Sequence, residues 1–295
     1  MNVPPLSYPT YTVDGVPMDS TGWYLTPATR RRPLPAVKAV SVEVPGRAGQ
    51  LPVLGLDVEA TTVPLGLFVT CNRPDGTEGD LEALEHNLAA LYSVFGVRHR
   101  LLDVRHMPAP GIELQASATV LAAVDPDVDI ANRFARMQVV LTVPGTYWRD
   151  VSAVTWSGKL PGAGQVVTPL AGSTAPIADA LVRFTGPATN PKITDAASGV
   201  TVAYTGALTG GQRLLVDCEN LRAARVSTDT WDLAGGTDVT GSMDSSGPGS
   251  ANRWLHLTPA MAGHDPYSRS ITVTTTASGT SGASAVEIRA RRAHL

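Results

Sequence analysis

The chain has 295 residues, more than one hydrophobic core usually serves, which predicts two domains. Its 23 basic and 26 acidic residues give a formal net charge of −3, which argues against a surface for sequence-independent nucleic-acid binding. Few charged residues (17%), few aromatic residues (5%) and abundant Gly and Pro favour a mainly β protein with many turns.

The cysteines and the apolar runs indicate no special cellular compartment. Cys71 and Cys218 lie far apart and match neither a disulfide framework nor a metal-ligand spacing, so both are interpreted as small buried hydrophobic residues. The sequence has no signal-peptide pattern and no run of about 18 apolar residues. We therefore expect a soluble protein made in the cytoplasm, without membrane insertion.

The first half of the sequence alternates strand and helix patterns. In "AVSVEV" Val40, Val42 and Val44 share one face, as in a half-buried strand. One amphipathic helix is predicted in "EGDLEALEHNLAALYSVFG", ending near Gly96. Its apolar stripe comprises Leu81, Leu84, Leu88, Leu91 and Phe95.

Further strands are predicted before the middle of the chain, which gives an α+β, largely antiparallel first domain over residues 1–150. "DPDVD" is expected in a turn between two of these strands. In the last strand, one face carries Met137, Val139, Leu141 and Val143. The strands are "RHRLLDVRH", "IELQASATVLAAV" and "RMQVVLTV".

The second half is predicted to be all β. Residues 151–179 are rich in Gly and Pro and are interpreted as an arm or linker. From residue 180 to 295, short alternating segments separated by turns predict a β-sandwich or jelly roll. "RWLHLTP" is assigned as one of these strands, and a long exposed loop is predicted over 230–253.

No catalytic, cofactor or metal site is recognised in the sequence. His99 and His106 point to opposite faces of a strand, and no third ligand is near them. "DPDVDI" begins like a calcium loop, but Ile130 stands where a Gly is needed and Arg136 where a Glu belongs. "GALTGGQR" lacks the Lys and Ser/Thr of a phosphate loop and is interpreted as a hairpin turn. We therefore predict that the protein is not an enzyme.

Two groups of residues are candidate binding positions. The basic run Arg30, Arg31 and Arg32, together with Arg47, forms either a solvated face or a partner interface. Trp231 and Trp254 either pack in the core or stack on sugars, and the alternating context of Trp254 favours packing.

The order of several short motifs resembles one family. An opening "YTVDGV", a strand followed by the turn "PGRAG" (Pro45, Gly46, Arg47), a helix and "VPGTYW" occupy the first half. The second half contains "NPKIT", "LTGGQRLLVD", "WLHLTP" and "VEIRARRAHL". This arrangement is similar to the distal tail proteins of long, non-contractile-tailed bacteriophages, and the matches cover most of the chain.

The resemblance implies a structural role in the virion, at the tip of the phage tail, after assembly in the host cytoplasm. In that family the N-terminal domains close into a six-membered ring with a central channel for DNA, and galectin-like C-terminal β-sandwiches radiate outward. The implied partners are further copies of the chain, the tail tube protein and the tail-tip hub protein. Contacts with tape measure and receptor-binding proteins stay open, and DNA only passes through the channel.

Two functions of other classes compete with this interpretation. The first is a glycan-binding β-sandwich used in host adsorption, with Trp231 and Trp254 as stacking residues. The second is a cell-wall hydrolase, which is the weaker alternative because no paired carboxylates or metal ligands are recognised in the sequence.

Overall fold

The structure of the protein is a computed structural model in which two compact units are distinguished, Met1–Val151 with Leu295 and Ser152–His294. The structure describes residues 8–29, 32–38, 42–43, 48, 50–51, 58–123, 125–248, 254–263 and 265–295. Within these residues the chain is mainly β with a single α-helix, which confirms the predicted fold class. No helix in this part of the chain is long and apolar enough to cross a membrane.

The first unit contains a helix and antiparallel strands, with a short 3-10 helix at Pro27–Thr29. The elements are β1 (Thr10–Val13), β2 (Val16–Pro17), β3 (Trp23–Leu25), β4 (Val42–Glu43), β5 (Gln50–Leu51), β6 (Thr61–Thr70), α1 (Leu81–Phe95), β7 (Leu102–Ala109), β8 (Ile112–Ala123), β9 (Asp127–Asp129), β10 (Phe134–Val143) and β11 (Trp148–Asp150).

The main sheet of this unit follows the order β2-β1-β7-β8-β10-β6-β3, with β9 paired to β10 and β11 paired to β8. Strand β8 joins the two parts of the sheet, because its first part pairs with β7 up to Ala118 and its last part pairs with β10 from Thr119. A bulge in this second pairing sets Val140 opposite Ala122 but Leu141 opposite Val120. Bulges bend a strand and increase its twist, which lets the sheet curl around one core.

The core of the first unit follows the period-two patterns of β6 and β10. Every second residue of β6, from Val63 to Val69, is buried. Met137, Val139, Leu141 and Val143 are buried as well, as predicted from the sequence. The alternating residues of two paired strands thus point to the same interior.

Helix α1 covers this interior with one face. Asp80 caps it, since its carboxylate accepts a hydrogen bond from Ala83 N at 3.2 Å. The predicted apolar stripe is confirmed except at its first residue. Leu81 is 41% exposed, whereas Leu84, Leu88, Leu91 and Phe95 are buried. Asn87, which the apolar pattern missed, is buried instead and donates to Thr70 O at 2.8 Å and to Asn72 O at 2.9 Å.

Two other predictions for the first unit need comment. "DPDVD" was expected to lie in a turn, but Asp127–Asp129 form strand β9, which pairs with the start of β10. Of the strand predicted at 39–44, only Val42–Glu43 lies within the described residues, where it pairs with Gln50–Leu51.

The second unit is built from strands, with 3-10 helices at Thr168–Leu170 and Thr240–Ser242. Its strands are β12 (Val154–Lys159), β13 (Gly162–Val166), β14 (Leu181–Thr185), β15 (Ala188–Asp195), β16 (Thr201–Tyr204), β17 (Ala207–Leu208), β18 (Arg213–Asp217), β19 (Arg222–Val226), β20 (Thr237–Asp238), β21 (Met243–Ser246), β22 (Ala260–Met261), β23 (Arg269–Ser270), β24 (Thr272–Ser278), β25 (Ala285–Ala290) and β26 (Ala293–His294).

Two antiparallel sheets form a β-sandwich in this unit. One has the order β12-β25-β14-β18-β19-β20, and the other has the order β13-β24-β15-β16-β21 with β17 paired to β15. Val182, Phe184 and Ile288 of the first sheet and Ile193 and Val273 of the second are almost fully buried. These residues alternate with polar ones along their strands, as expected for two sheets packed face to face.

Three segments of this unit differ from the sequence interpretation. Residues 151–179, predicted as an arm or linker, contain β12 and β13, whose hydrogen bonds complete the edges of the two sheets. Residues 230–253, predicted as one exposed loop, contain β20 and β21. The described part of "RWLHLTP", residues 254–259, is not a strand, since its only ladder contact to another described residue is an isolated bridge from Leu257 to Ile177.

Replacing Asn87 with alanine should lower the free energy of unfolding of the first unit by about 2 kcal/mol, because the change removes a buried amide that donates to two partly buried carbonyl oxygens. Urea titration followed by circular dichroism measures this loss. The matched control is Glu85→Ala on the exposed side of the same helix, which should change stability by less than about 0.5 kcal/mol. Equal effects of the two substitutions would contradict the proposed role of Asn87.

Candidate functional site

Most of the predicted interface residues lie outside the described residues, namely Arg30, Arg31, Pro45, Gly46 and Arg47. Arg32 is described and is half-buried rather than fully exposed. Its Nη1 atom is inaccessible to solvent and has no hydrogen-bond partner among the described residues. Burial lowers the pKa of this guanidinium from its ordinary value.

Arg32 is electrostatically coupled to an aromatic cluster formed by Tyr11, His106 and Trp148. The ring centroids of Tyr11 and His106 are 4.4 Å apart in a stacked arrangement, and those of His106 and Trp148 are 5.6 Å apart. His106 Nδ1 donates to Thr10 O at 3.3 Å. Burial raises the pKa of Tyr11, and burial and the charge of Arg32 lower the pKa of His106 to about 4. The cluster therefore holds a neutral histidine at neutral pH.

The histidine and aspartate motifs do not assemble into a metal site. His99 is exposed and lies before β7, whereas His106 is buried on β7. Asp103 accepts from Arg105 Nε at 3.1 Å and Gln115 Nε2 at 2.8 Å. Among the residues that the structure describes, no group of three or more His, Cys, Asp or Glu is arranged to hold a metal ion.

An aromatic row on the first unit was not predicted from the sequence. Tyr24, Phe68 and Phe134 stack in series, with centroid distances of 5.1 Å and 4.8 Å. The guanidinium of Arg136 lies 5.4 Å from the Phe134 centroid. The three aromatic residues are far apart in sequence and meet only through the register of β3, β6 and β10, which a local motif search does not detect.

In the second unit, the outer face of the six-stranded sheet carries a buried charge. Arg183 lies in the central strand β14, between Glu287 of β25 and Leu215 of β18. Its side chain is 8% exposed, and its Nε donates to Glu287 Oε2 at 2.7 Å. Burial alone would lower the pKa of Arg183, but the hydrogen bond and the negative charge of Glu287 outweigh it and raise the pKa.

Residues 227–236, here named the strap, cross this outer face between β19 and β20. The strap turns at Gly235, whose φ of +76° favours glycine. Gly236 then passes close to the sheet, because a Cβ there would lie 2.8 Å from Val226 Cγ1 and 3.0 Å from Ala224 Cβ. Two consecutive glycines thus let the chain return against its own sheet.

Arg183 fastens the strap to the sheet. Its Nη1 donates to Asp229 Oδ1 at 2.5 Å and to the Thr230 carbonyl oxygen at 3.2 Å. The guanidinium of Arg183 also lies over the ring of Trp231, with the Arg183 Cζ atom 4.4 Å from the ring centroid. One buried side chain therefore holds three consecutive strap residues.

The two candidate tryptophans have different environments. Trp231 is half-buried, with Arg183 on its ring and the Arg289 Cζ atom 6.0 Å from its centroid. It also lines a cavity of about 350 Å³ beside the strap. Trp254 is half-buried at a bend and not in an alternating strand, and it does not line this cavity. The sequence thus identified one cavity residue, while Arg183 was missed because burial on an outer sheet face leaves no periodic signal.

Comparison with solved structures identifies a shared fold. The chain is similar to the crystal structure of the SPP1 Dit protein (gp 19.1), described as a paradigm of the hub adsorption apparatus in Gram-positive infecting phages. The TM-score is 0.62 at 13% sequence identity, over 98% of this chain and 100% of that chain. Two structures of the phage P2 baseplate in its activated conformation, with Ca and with Sr, each match with a TM-score of 0.42 at 8% identity, over 97% of this chain and 98% of theirs. No family model and no curated protein sequence matches the chain.

Acidification should destabilise the first unit through His106. In the unfolded chain a histidine binds a proton near pH 6.5, whereas the folded His106 binds one only near pH 4. Stability is therefore fully present above about pH 6.5 and falls by roughly 3 kcal/mol as the pH approaches 4. Urea titrations at about pH 7 and pH 4.5 measure this difference, which His106→Gln should reduce and the exposed control His99→Gln should retain. A His106→Gln protein as acid-sensitive as the parent would contradict the assignment.

Replacing Arg183 with lysine should release the strap, because an ammonium does not reproduce the planar fork that reaches Glu287, Asp229 and Thr230 together. Hydrogen exchange of amides 227–236 should accelerate about tenfold or more, while the strands of the opposite sheet keep their protection. Arg213→Lys is the matched control, since Arg213 Nη2 lies 3.8 Å from Asp229 and does not bridge the sheet to the strap backbone. Unchanged exchange in Arg183→Lys would show that other contacts hold the strap.

Proposed function

We propose that the chain is a structural virion protein at the distal end of a phage tail, where it joins the tail tube to the tail-tip or baseplate proteins. The observation that carries this proposal is the fold shared with the SPP1 Dit protein over 98% of this chain and 100% of that chain. A likeness over the whole length of both chains supports the same order of two β-rich units, not only a common sandwich.

In this proposal the two units have different tasks. The N-terminal domain, residues 1–150, forms a six-membered ring around a channel through which DNA passes. The C-terminal unit, Ser152–His294, projects from the ring as a galectin-like sandwich. The antiparallel sheets of both units favour such a role, because hydrogen-bonded sheets hold the surface of a docking protein in a fixed shape.

The proposed partners are further copies of the chain, the tail tube protein and the tail-tip hub protein. The role is one of assembly and not of catalysis, so it requires neither a cofactor nor a metal. Arg30, Arg31, Arg32, Pro45, Gly46 and Arg47 stay the candidate contacts between subunits or with the tube.

Electron microscopy of the purified protein tests the ring directly. The expected result is a particle with six-fold symmetry and a central hole, with a mass near six times the 30.8 kDa of one chain in light scattering. A protein that stays monomeric at all concentrations, and that antibodies do not detect at the tips of purified phage tails, would overturn the proposal.

Substitutions test the interface candidates separately from the ring itself. Arg47→Ala should shift the protein from ring to monomer at a given concentration, because an interface guanidinium makes bidentate contacts that alanine cannot. Arg136→Ala, an exposed arginine of the same unit, is the control and should leave the ring intact. A ring that persists in Arg47→Ala removes Arg47 from the interface without affecting the ring proposal.

A further inference from the structure

The cavity beside the strap has walls from both the strap and the sheet. Leu181 at the start of β14 and Trp231 and Leu233 of the strap supply its apolar surface. At about 350 Å³ it falls at the lower end of the range for small-molecule sites in proteins. Asn220, Arg222, Asp232 and Ala234 of its lining are exposed, so the cavity is accessible from solvent.

The indole of Trp231 is held in place before any ligand arrives. The Arg183 guanidinium lies over its ring, and the two strap residues before it are fastened by hydrogen bonds from Arg183 to Asp229 Oδ1 and to the Thr230 carbonyl oxygen. A preordered aromatic side chain loses little conformational entropy on binding, which raises the affinity of whatever stacks on or beside it.

Part of the polar lining is held in place by hydrogen bonds. Asp217 Oδ2 accepts from Asn220 Nδ2 at 2.8 Å in the turn between β18 and β19. Asp232 Oδ1 accepts from Ala234 N at 2.9 Å, and no described residue donates to its Oδ2 atom. The Arg222 guanidinium makes no hydrogen bond within the described part of the chain. Carboxylate, amide and guanidinium groups therefore line the cavity with both acceptors and donors to spare.

The charge of the lining narrows the class of ligand. Asp217 and Asp232 carry two negative charges and Arg222 one positive charge, the guanidinium of Arg289 lies 6.0 Å from the Trp231 ring centroid, and Arg183 is paired with Glu287 and Asp229. The charges around the cavity therefore roughly balance, so the site has no excess positive charge to attract phosphates or acidic sugars. A neutral polyhydroxylated ring matches both the polar and the apolar residues of the lining. Its hydroxyls form hydrogen bonds with planar polar groups, and its C–H face packs on an indole or leucine side chain.

We infer that this cavity binds a neutral sugar residue of a glycan, with Trp231 as the apolar contact and Asp217, Asn220, Arg222 and Asp232 as the hydroxyl-binding groups. The inference does not rest on the ring proposal, because all residues that line the cavity belong to the second unit of one chain.

Saturation-transfer NMR on the full-length protein tests this site with defined probes. Methyl α-glucopyranoside, methyl β-galactopyranoside and N-acetylglucosamine are the neutral probes, and glucuronic acid is the charged comparison. We expect saturation transfer to at least one neutral probe, with a dissociation constant on the order of millimolar, and weaker transfer to glucuronic acid. No transfer to any neutral probe, or equal transfer to glucuronic acid, would overturn the inference.

Variants locate the binding on the protein. Trp231→Ala should weaken binding of the responsive probe about tenfold, whereas Trp254→Ala is the matched control and should bind like the parent. Ala234→Phe fills the cavity from an exposed position and leaves the Arg183 contacts in place, so it should also abolish binding if Trp231→Ala folds poorly. Parent-like binding in Ala234→Phe, or equal losses in both tryptophan variants, would show that the sugar binds elsewhere.

Discussion

A guanidinium buried on the outer face of a sheet is the constraint on which the second unit depends. Arg183 sits where a strand residue would normally be solvated, and an enclosed positive charge is stable only when carboxylates and carbonyl oxygens surround it. The sheet supplies Glu287, and the strap supplies the carboxylate of Asp229 and the carbonyl of Thr230. The position of the strap, the orientation of Trp231 and the shape of the cavity beside it all follow from this requirement.

Much of the fold is predictable because it follows from local periodicity. The apolar residues of α1 recur every three or four positions, and those of β10 recur at every second position. This spacing indicates the helix, the strand and the face of each that is buried. The predicted secondary structure was wrong where hydrogen bonding to distant strands, and not the local sequence pattern, decides the structure. Residues 151–179 look irregular, yet β12 and β13 are strands because the neighbouring edges of two sheets accept them. Tertiary hydrogen bonding thus overrode a weak local preference.

The candidate site was harder to predict than the fold. Trp231 stood out as a large aromatic residue in a polar segment, and that contrast was a usable signal. Arg183 gave no such signal, since a charged residue between Val182 and Phe184 is the ordinary pattern of a half-exposed strand. Its burial depends on Asp229 and Glu287, which are 46 and 104 positions away in the sequence and come close to Arg183 only in the folded chain.

The two carboxylates of Arg183 are unequal, and this has a consequence for how the second unit opens. Glu287 is 20% exposed and belongs to the sheet, whereas Asp229 is 70% exposed and belongs to the strap. When the strap detaches, Glu287 still neutralises Arg183, and water replaces the contact between Arg183 and Asp229, which solvent already screens. Detaching the strap therefore costs far less free energy than separating strands. A protease should therefore cut the strap of the folded protein more readily than the strands beneath it.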